Sequence, residues 1–187
     1  IRILKNSFIG IKGLSGSGKS TFVDLLTGIL KPKSGKILID SHEIHDYNSR
    51  IDLFSYVQQK VHIFDANIIK NISFKDEINK DETKKLFEII KFCELSNFIE
   101  NLPNNIETDL QEFGRNLSGG QAQRIGLARA LYKNSEIIVI DEGLNNLDEV
   151  TKNLILDKFI ELKETRTIVY VSHDSKDLEK CDSVISI

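Results

Sequence analysis

The sequence predicts an α/β fold, a mainly parallel sheet flanked by helices with a helical subdomain inserted into it. Three observations carry that expectation. Short, almost wholly apolar runs recur at 8–12, 137–140 and 167–171, as in strands buried on both faces. Runs of helical length and spacing alternate with them at 22–30, 149–163 and 175–180, which favours parallel strands joined by crossover helices. Between 60 and 132 strand signals vanish and helical spacing takes over. The expected division is a core of 1–59 and 133–187 around a helical insert of 60–132.

Taken in order, residues 1–4 and 8–12 read as strands. The second runs into Gly13, Leu14, Ser15, Gly16, Ser17, Gly18, Lys19, Ser20 and Thr21, and the helix at 22–30 follows, closed by a Lys-Pro-Lys-Ser-Gly turn signal. Strand, G-x-x-x-x-G-K-S loop and helix are the context of a phosphate-binding P-loop. Glycines let successive backbone N–H groups fold round an anion, and the helix adds its positive end. Lys19 can reach terminal phosphates as a point charge, and the Ser20 hydroxyl can ligate Mg²⁺.

Short strands at 37–39 and 55–57 flank a polar link with His42 and His45. That H-x-x-H pair has no third ligand nearby, so surface histidines are the favoured reading. Asp81 is the expected N-cap of a helix whose apolar stripe is Leu86, Phe87, Ile89, Ile90 and Cys93. Leu102, Pro103, Asn104 and Asn105 break the run. A helix opening near Gly119 carries Ala122, Ile125, Leu127, Ala128 and Leu131. Strands return at 137–140, 167–171 and 183–187.

Composition narrows the partners. The chain has 187 residues, 40% hydrophobic and 28% charged, with a formal net charge of -3. That is ample for one globular domain and leaves no electrostatic footprint for nucleic acid. Cys93 and Cys181 lie far apart without metal-ligand spacing and read as reduced thiols. The chain opens on a strand-like pattern, contains no Met and stops within an apolar run, so it reads as part of something longer.

Two further stretches carry chemistry. The apolar strand at 137–140 ends in Asp141 and Glu142, placing two carboxylates where α/β sheets hold ligands. Asp141 is placed to hold Mg²⁺ and Glu142 to polarise an attacking water. Alone, a strand ending in acids is common; beside a P-loop it gains weight. Leu117, Ser118, Gly119, Gly120 and Gln121 open the later helix. A Ser-Gly-Gly turn there offers free N–H groups and a hydroxyl to an anion, while a plain helix cap at Ser118 is the simpler alternative.

In this order and spacing the motifs resemble, over the whole chain, the nucleotide-binding domain of ATP-binding-cassette (ABC) ATPases. GLSGSGKST is similar to that family's Walker A, IIVIDE to its Walker B with Glu142 as the catalytic glutamate, and LSGGQ to its signature. Gln59 matches the Q-loop glutamine, which senses Mg²⁺ and the transmembrane partner and so belongs with the catalytic and the metal-holding residues. Asn146, Leu147 and Asp148 fall at the D-loop, and His173 matches the switch histidine. The resemblance implies a P-loop NTPase core whose N-terminal antiparallel β-subdomain, with the adenine-stacking aromatic, lies largely before Ile1. It implies ATP and Mg²⁺ as cofactors and a head-to-tail dimer, in which Ser118 and Gly120 complete the partner's site. It also implies transmembrane domains that place the chain at the cytoplasmic face of a membrane.

Val61, His62, Ile63 and Phe64 with Asn67 and Asn71, and Thr108, Glu112 and Gly114 further on, are similar to exporter segments, with lipid and lipid-linked oligosaccharide flippases and peptide exporters nearest. Departures are Gly143, Leu144, Asn145 and Asn146 where the family usually has Ala-Thr-Ser-Ala, so that the small hydroxyl residues are lost at Leu144 and Asn145, and Gln111 in place of the X-loop glycine. A soluble, non-transport ABC ATPase and a regulatory cassette with little turnover remain the alternatives. The short stretch between Gln59 and Leu117 disfavours the coiled-coil chromosome and repair branch.

Overall fold

The computed structural model describes residues 1–14, 16–43, 52–110 and 117–187; Ser15, His45, Gln111, Glu112 and Gly114 lie outside them. The chain divides into two compact units. One comprises Ile1–Tyr56, Ser135–Glu142 and Phe159–Ile187, the other Val57–Asn134 and Gly143–Lys158.

The first unit is built on a five-stranded sheet in the order β4-β5-β6-β1-β7. Its strands are β1 (Phe8–Lys12), β4 (Phe54–Val57), β5 (Ile137–Asp141), β6 (Thr167–Val171) and β7 (Ser183–Ser186). β5, β6, β1 and β7 pair in parallel, with Phe8 opposite Ile168 and Val139 opposite Val169. Alternation along each strand sorts the side chains between the two faces. On one, Ile9, Ile11, Val139, Val169 and Val171 form a core with Val23 of helix α1 (Lys19–Thr27) and Phe54. On the other, Phe8 meets Phe159 edge-on, ring centroids 6.0 Å apart, and Tyr170 at 6.2 Å. The expected mainly parallel sheet with flanking helices is therefore what forms.

Residues 1–4 do not form the expected strand. Their apolar pattern finds no neighbouring ladder, and Ile1 and Leu4 are exposed. α1 begins at Lys19 and stops at Thr27, short of 30, because Gly28 turns left-handed (φ 86°) and donates to Leu25 O. Leu30 N then donates to Asp24 O, a closure that satisfies the last carbonyls. The strand expected at 37–39 forms as β2 (Leu38–Ile39), and the start of the polar link turns back on it as β3 (His42–Glu43) in a two-stranded antiparallel hairpin. His42 lies on it, exposed.

The second unit is helical. It holds α2 (Ile68–Ser73), α3 (Lys80–Phe92), α4 (Ser96–Glu100), a 3₁₀ turn at Asn105–Glu107, α5 (Gly119–Lys133) and the start of α6 (Glu149–Leu162). α3 is capped by Asn79, not Asp81. Asn79 accepts from Glu82 N at 2.9 Å and Glu82 accepts from Asn79 N at 3.1 Å, a capping box. Asp81 sits in the first turn instead, where a carboxylate still suits the helix dipole. Phe87 leaves the apolar stripe and is 49% exposed, while Leu86, Ile89, Ile90 and Cys93 are buried.

Arg129 of α5 fixes the segment after β4. Its guanidinium donates to Asn71 Oδ1 at 2.8 Å and to the carbonyls of Asn71 and His62. It also lies over the rings of Phe64 and Phe74, 4.9 and 5.6 Å from their centroids. Asn71, fully buried, exchanges bonds with Phe64: its amide donates to Phe64 O at 3.0 Å and its carbonyl accepts from Phe64 N at 2.9 Å. Among the described residues no helix is long and apolar enough to cross a membrane.

Candidate nucleotide site

β1 delivers the loop. Its last buried residue, Ile11, is followed by Lys12 and Gly13, and the chain turns through Gly16 (φ 80°) and Gly18 (φ 102°) into α1. Only glycine adopts such angles without strain. Ser17 N donates to Leu14 O at 3.1 Å, tightening the turn. A Cβ on Gly13 would stand 2.3 Å from Ser17 Oγ and 2.5 Å from Ile187 O, so the backbone can run so close only as glycine. Lys19 lies back over the loop, its ammonium donating to Gly13 O at 2.9 Å and Leu14 O at 3.1 Å. Ser20 and Thr21, the next two residues of the helix, are exposed. The buried Ser17 hydroxyl has no hydrogen-bond partner among the described residues.

β5 and β6 bring the acids and the histidine to the same end of the sheet. Asp141 closes β5, 8% exposed, and burial raises its pKa, with the nearby Glu142 and Asp24 carboxylates adding to the rise. Tyr56 on β4 donates its hydroxyl to Asp141 Oδ2 at 3.2 Å. Burial, then the Asp141 charge, pushes the Tyr56 pKa up, so the phenol stays a donor. Glu142 follows in a left-handed conformation (φ 51°), with its N–H donating to Val171 O at 3.0 Å. A non-glycine residue held there is a strained position of the kind concentrated at functional sites. His173 Nδ1 stands 3.8 Å from Glu142 Oε1, with the imidazole largely exposed. Beneath it, Tyr170 and Ser172 both donate to the buried Asp177, at 3.0 and 3.3 Å, and Asp174 N donates to Ser172 Oγ at 3.0 Å. That network holds the loop carrying His173.

This donor set suits a magnesium–nucleotide. A buried carboxylate under the charge of Lys19, a hydroxyl one residue after that lysine, a buried serine hydroxyl without a partner among the described residues and a glycine-lined turn suit a phosphate chain and a hard divalent ion.

In the helical unit, Gln59 lies exposed just past β4. Ser118 caps α5 and Gln121 answers it, with Gln121 N donating to Ser118 Oγ at 3.2 Å and Ser118 N to Gln121 Oε1 at 2.8 Å. The simpler cap thus forms, with Leu117 half-buried before it. Gly119 and Gly120 pack under the loop that holds Asn146. A Cβ on Gly119 would meet Asn146 Nδ2 at 3.2 Å, and one on Gly120 would meet Asn146 O at 2.9 Å. Asn146 N donates to Oε1 of the buried Gln123 at 2.8 Å. Asp148 accepts from Thr151 N at 2.9 Å at the start of α6, and that backbone bond lowers its pKa.

Tyr56, Gln123 and Arg129 escaped the sequence reading. Tyr56 enters it only as part of the strand at 55–57, and the helix opening near Gly119 is followed by its apolar residues alone. The signal available for Gln123 was its phase, four residues before Leu127 and seven before Ala130, both buried.

Fold and site together define a P-loop nucleotide-binding core with a helical insert. The family model described as ABC transporter matches residues 1–145. A probable ABC transporter ATP-binding/permease protein of Haemophilus influenzae is 37% identical over 190 residues, covering 100% of this chain and 34% of that protein. An ATP-dependent lipid A-core flippase of the same species is 34% identical, covering 96% of this chain and 31% of the relative. The solved structure of a bacterial Atm1-family ABC exporter with ATP bound superposes with a TM-score of 0.88 at 31% identity, over 97% of this chain and 32% of that one. The chain belongs to the ABC transporter family, whose ATPase domains bind and hydrolyse ATP. It spans about a third of the length of these relatives.

Proposed function

We propose that the chain is the ATP-binding and ATP-hydrolysing domain of an ABC exporter, powering export or flipping of a substrate through attached transmembrane domains. The observation that carries this reading is the gathering of the glycine-rich loop, Asp141, Glu142 and His173 at one end of three adjacent parallel strands. Exporter and flippase relatives support the transport assignment. The glycine loop and Lys19 bind the phosphates, with the loop N–H groups and the ammonium matching their charge. Ser20, Asp141 and Gln59 would hold Mg²⁺, which when bound neutralises charge on the phosphates. Glu142 orients the attacking water and takes its proton as the bond to the terminal phosphorus forms and the bond to the ADP oxygen breaks. His173, beside Glu142, holds the terminal phosphate. Leu117, Ser118, Gly119, Gly120 and Gln121, with Asp148, complete the site of a second copy arranged head to tail.

The test is ATP hydrolysis against protein concentration, beside Glu142→Gln. A rate per molecule that climbs with concentration and vanishes in the variant, with ATP still bound, supports composite sites and a catalytic Glu142. A rate flat in concentration removes the dimer, and full activity in the variant removes Glu142.

A further inference from the structure

We propose that Tyr56 is a positioning residue for the Asp141 carboxylate, its hydroxyl holding one oxygen so that the other faces the cation accompanying the nucleotide. The proposal rests on the magnesium–nucleotide reading above and adds to it a residue outside the motifs that define it. The Tyr56 ring packs against the core cluster that includes Ile9, Val23, Phe54 and Val139. A phenylalanine would serve that packing equally well. The hydroxyl has another use, reaching Asp141 Oδ2 at 3.2 Å.

Asp141 needs such a hold. Glu142 follows it directly, and Asp24, one turn along α1 from Ser20, acts on both Asp141 and Tyr56 through its charge, while Lys19, which also acts on Asp141, donates to the carbonyls of Gly13 and Leu14. Two like charges would swing an unheld carboxylate about its Cβ–Cγ bond. A neutral donor on one oxygen fixes the plane of the group and leaves the other oxygen free for the ion or its water. Outer partners of this kind orient ligating carboxylates, and their loss typically costs about 10–100-fold in metal affinity or activity.

The experiment compares the chain with Tyr56→Phe, which keeps the ring. Mn²⁺ binding in the presence of saturating ADP is followed by electron paramagnetic resonance, and ADP binding in EDTA by calorimetry. The expected result is a loss of about 10-fold or more in Mn²⁺ affinity, with metal-free ADP affinity and cooperative melting retained. Repeating the substitution on Asp141→Ala closes a double-mutant cycle, and with the carboxylate gone the hydroxyl should no longer matter. Unchanged Mn²⁺ affinity in Tyr56→Phe, or equal losses with and without the Asp141 carboxylate, overturns the proposal while the nucleotide reading stands. Failure of the unsubstituted chain to bind ADP at all overturns that reading, and the proposal with it.

Discussion

Replacing Gly120 by alanine sets two effects against each other. Alanine is the better helix former, worth up to about 1 kcal/mol over glycine, and Gly120 lies in the first turn of α5, where that gain is smaller. Against it stands the space. The new methyl would lie 2.9 Å from Asn146 O and 3.2 Å from Leu147 Cδ2. The closer obstacle is backbone, and it is held: Asn146 N is bonded to Gln123 Oε1 at 2.8 Å and Leu147 N to Leu144 O at 3.2 Å. Overpacking against a fixed neighbour costs about 1–3 kcal/mol. The net is a destabilisation of about 1 kcal/mol, which for a chain of this size lowers the melting midpoint by about 2–4 °C. Scanning calorimetry of the two proteins reads it. A midpoint equal to or above that of the unsubstituted chain would refute the reasoning, because it would mean that the Asn146 loop yields freely.

Two other perturbations follow from the same structure. Arg129→Lys keeps the charge and loses the fork that reaches Asn71 and His62 together; burial has already pulled the Arg129 pKa down to about 10. A lysine cannot serve both sides, so a loss of about 1.5–3 kcal/mol is expected in urea unfolding. Asp182 accepts from Lys163 and from Phe8 N, and the lysine contact first, then the amide, lowers its pKa. A lowered carboxylate pKa stabilises the fold above the unfolded value and is lost as pH falls through the folded one. Asp182→Asn should therefore be less stable than the parent at pH 7. The gap should narrow as pH drops below the ordinary value of 3.8, and a gap constant from neutral to strongly acid pH would count against the ion pair.

Much of this was legible in the residues. Strands 8–12, 137–140 and 167–171 announce themselves because both faces are buried and nearly every position is apolar. The loop from Gly13 to Thr21 and the Asp141–Glu142 pair were readable because phosphate and cation chemistry demand those side chains at those spacings. What escaped is of two kinds. The ends of elements depend on local closures, such as Gly28 turning left-handed or Asn79 pairing with Glu82, which compete with equally plausible neighbours at Leu30 and Asp81. The supporting contacts depend on pairs distant in sequence. Tyr56 reaches Asp141, and Gln123 reaches Asn146, only once the chain has folded, and neither partner marks the other beforehand.

The close fit of Asn146 over Gly119 and Gly120 bears on how such a sequence can drift. The amide occupies the volume that a side chain at 119 would need, its own carbonyl forbids one at 120, and its N–H spends the buried acceptor of Gln123. These four positions therefore form a single heritable unit. A lineage that enlarges either glycine must first move or shrink residue 146, and one that loses Gln123 takes from the Asn146 N–H the acceptor it has here. Asn146, which departs from the small residues usual at this place, would then be expected to travel with intact glycines and glutamine wherever descendants of this chain retain it.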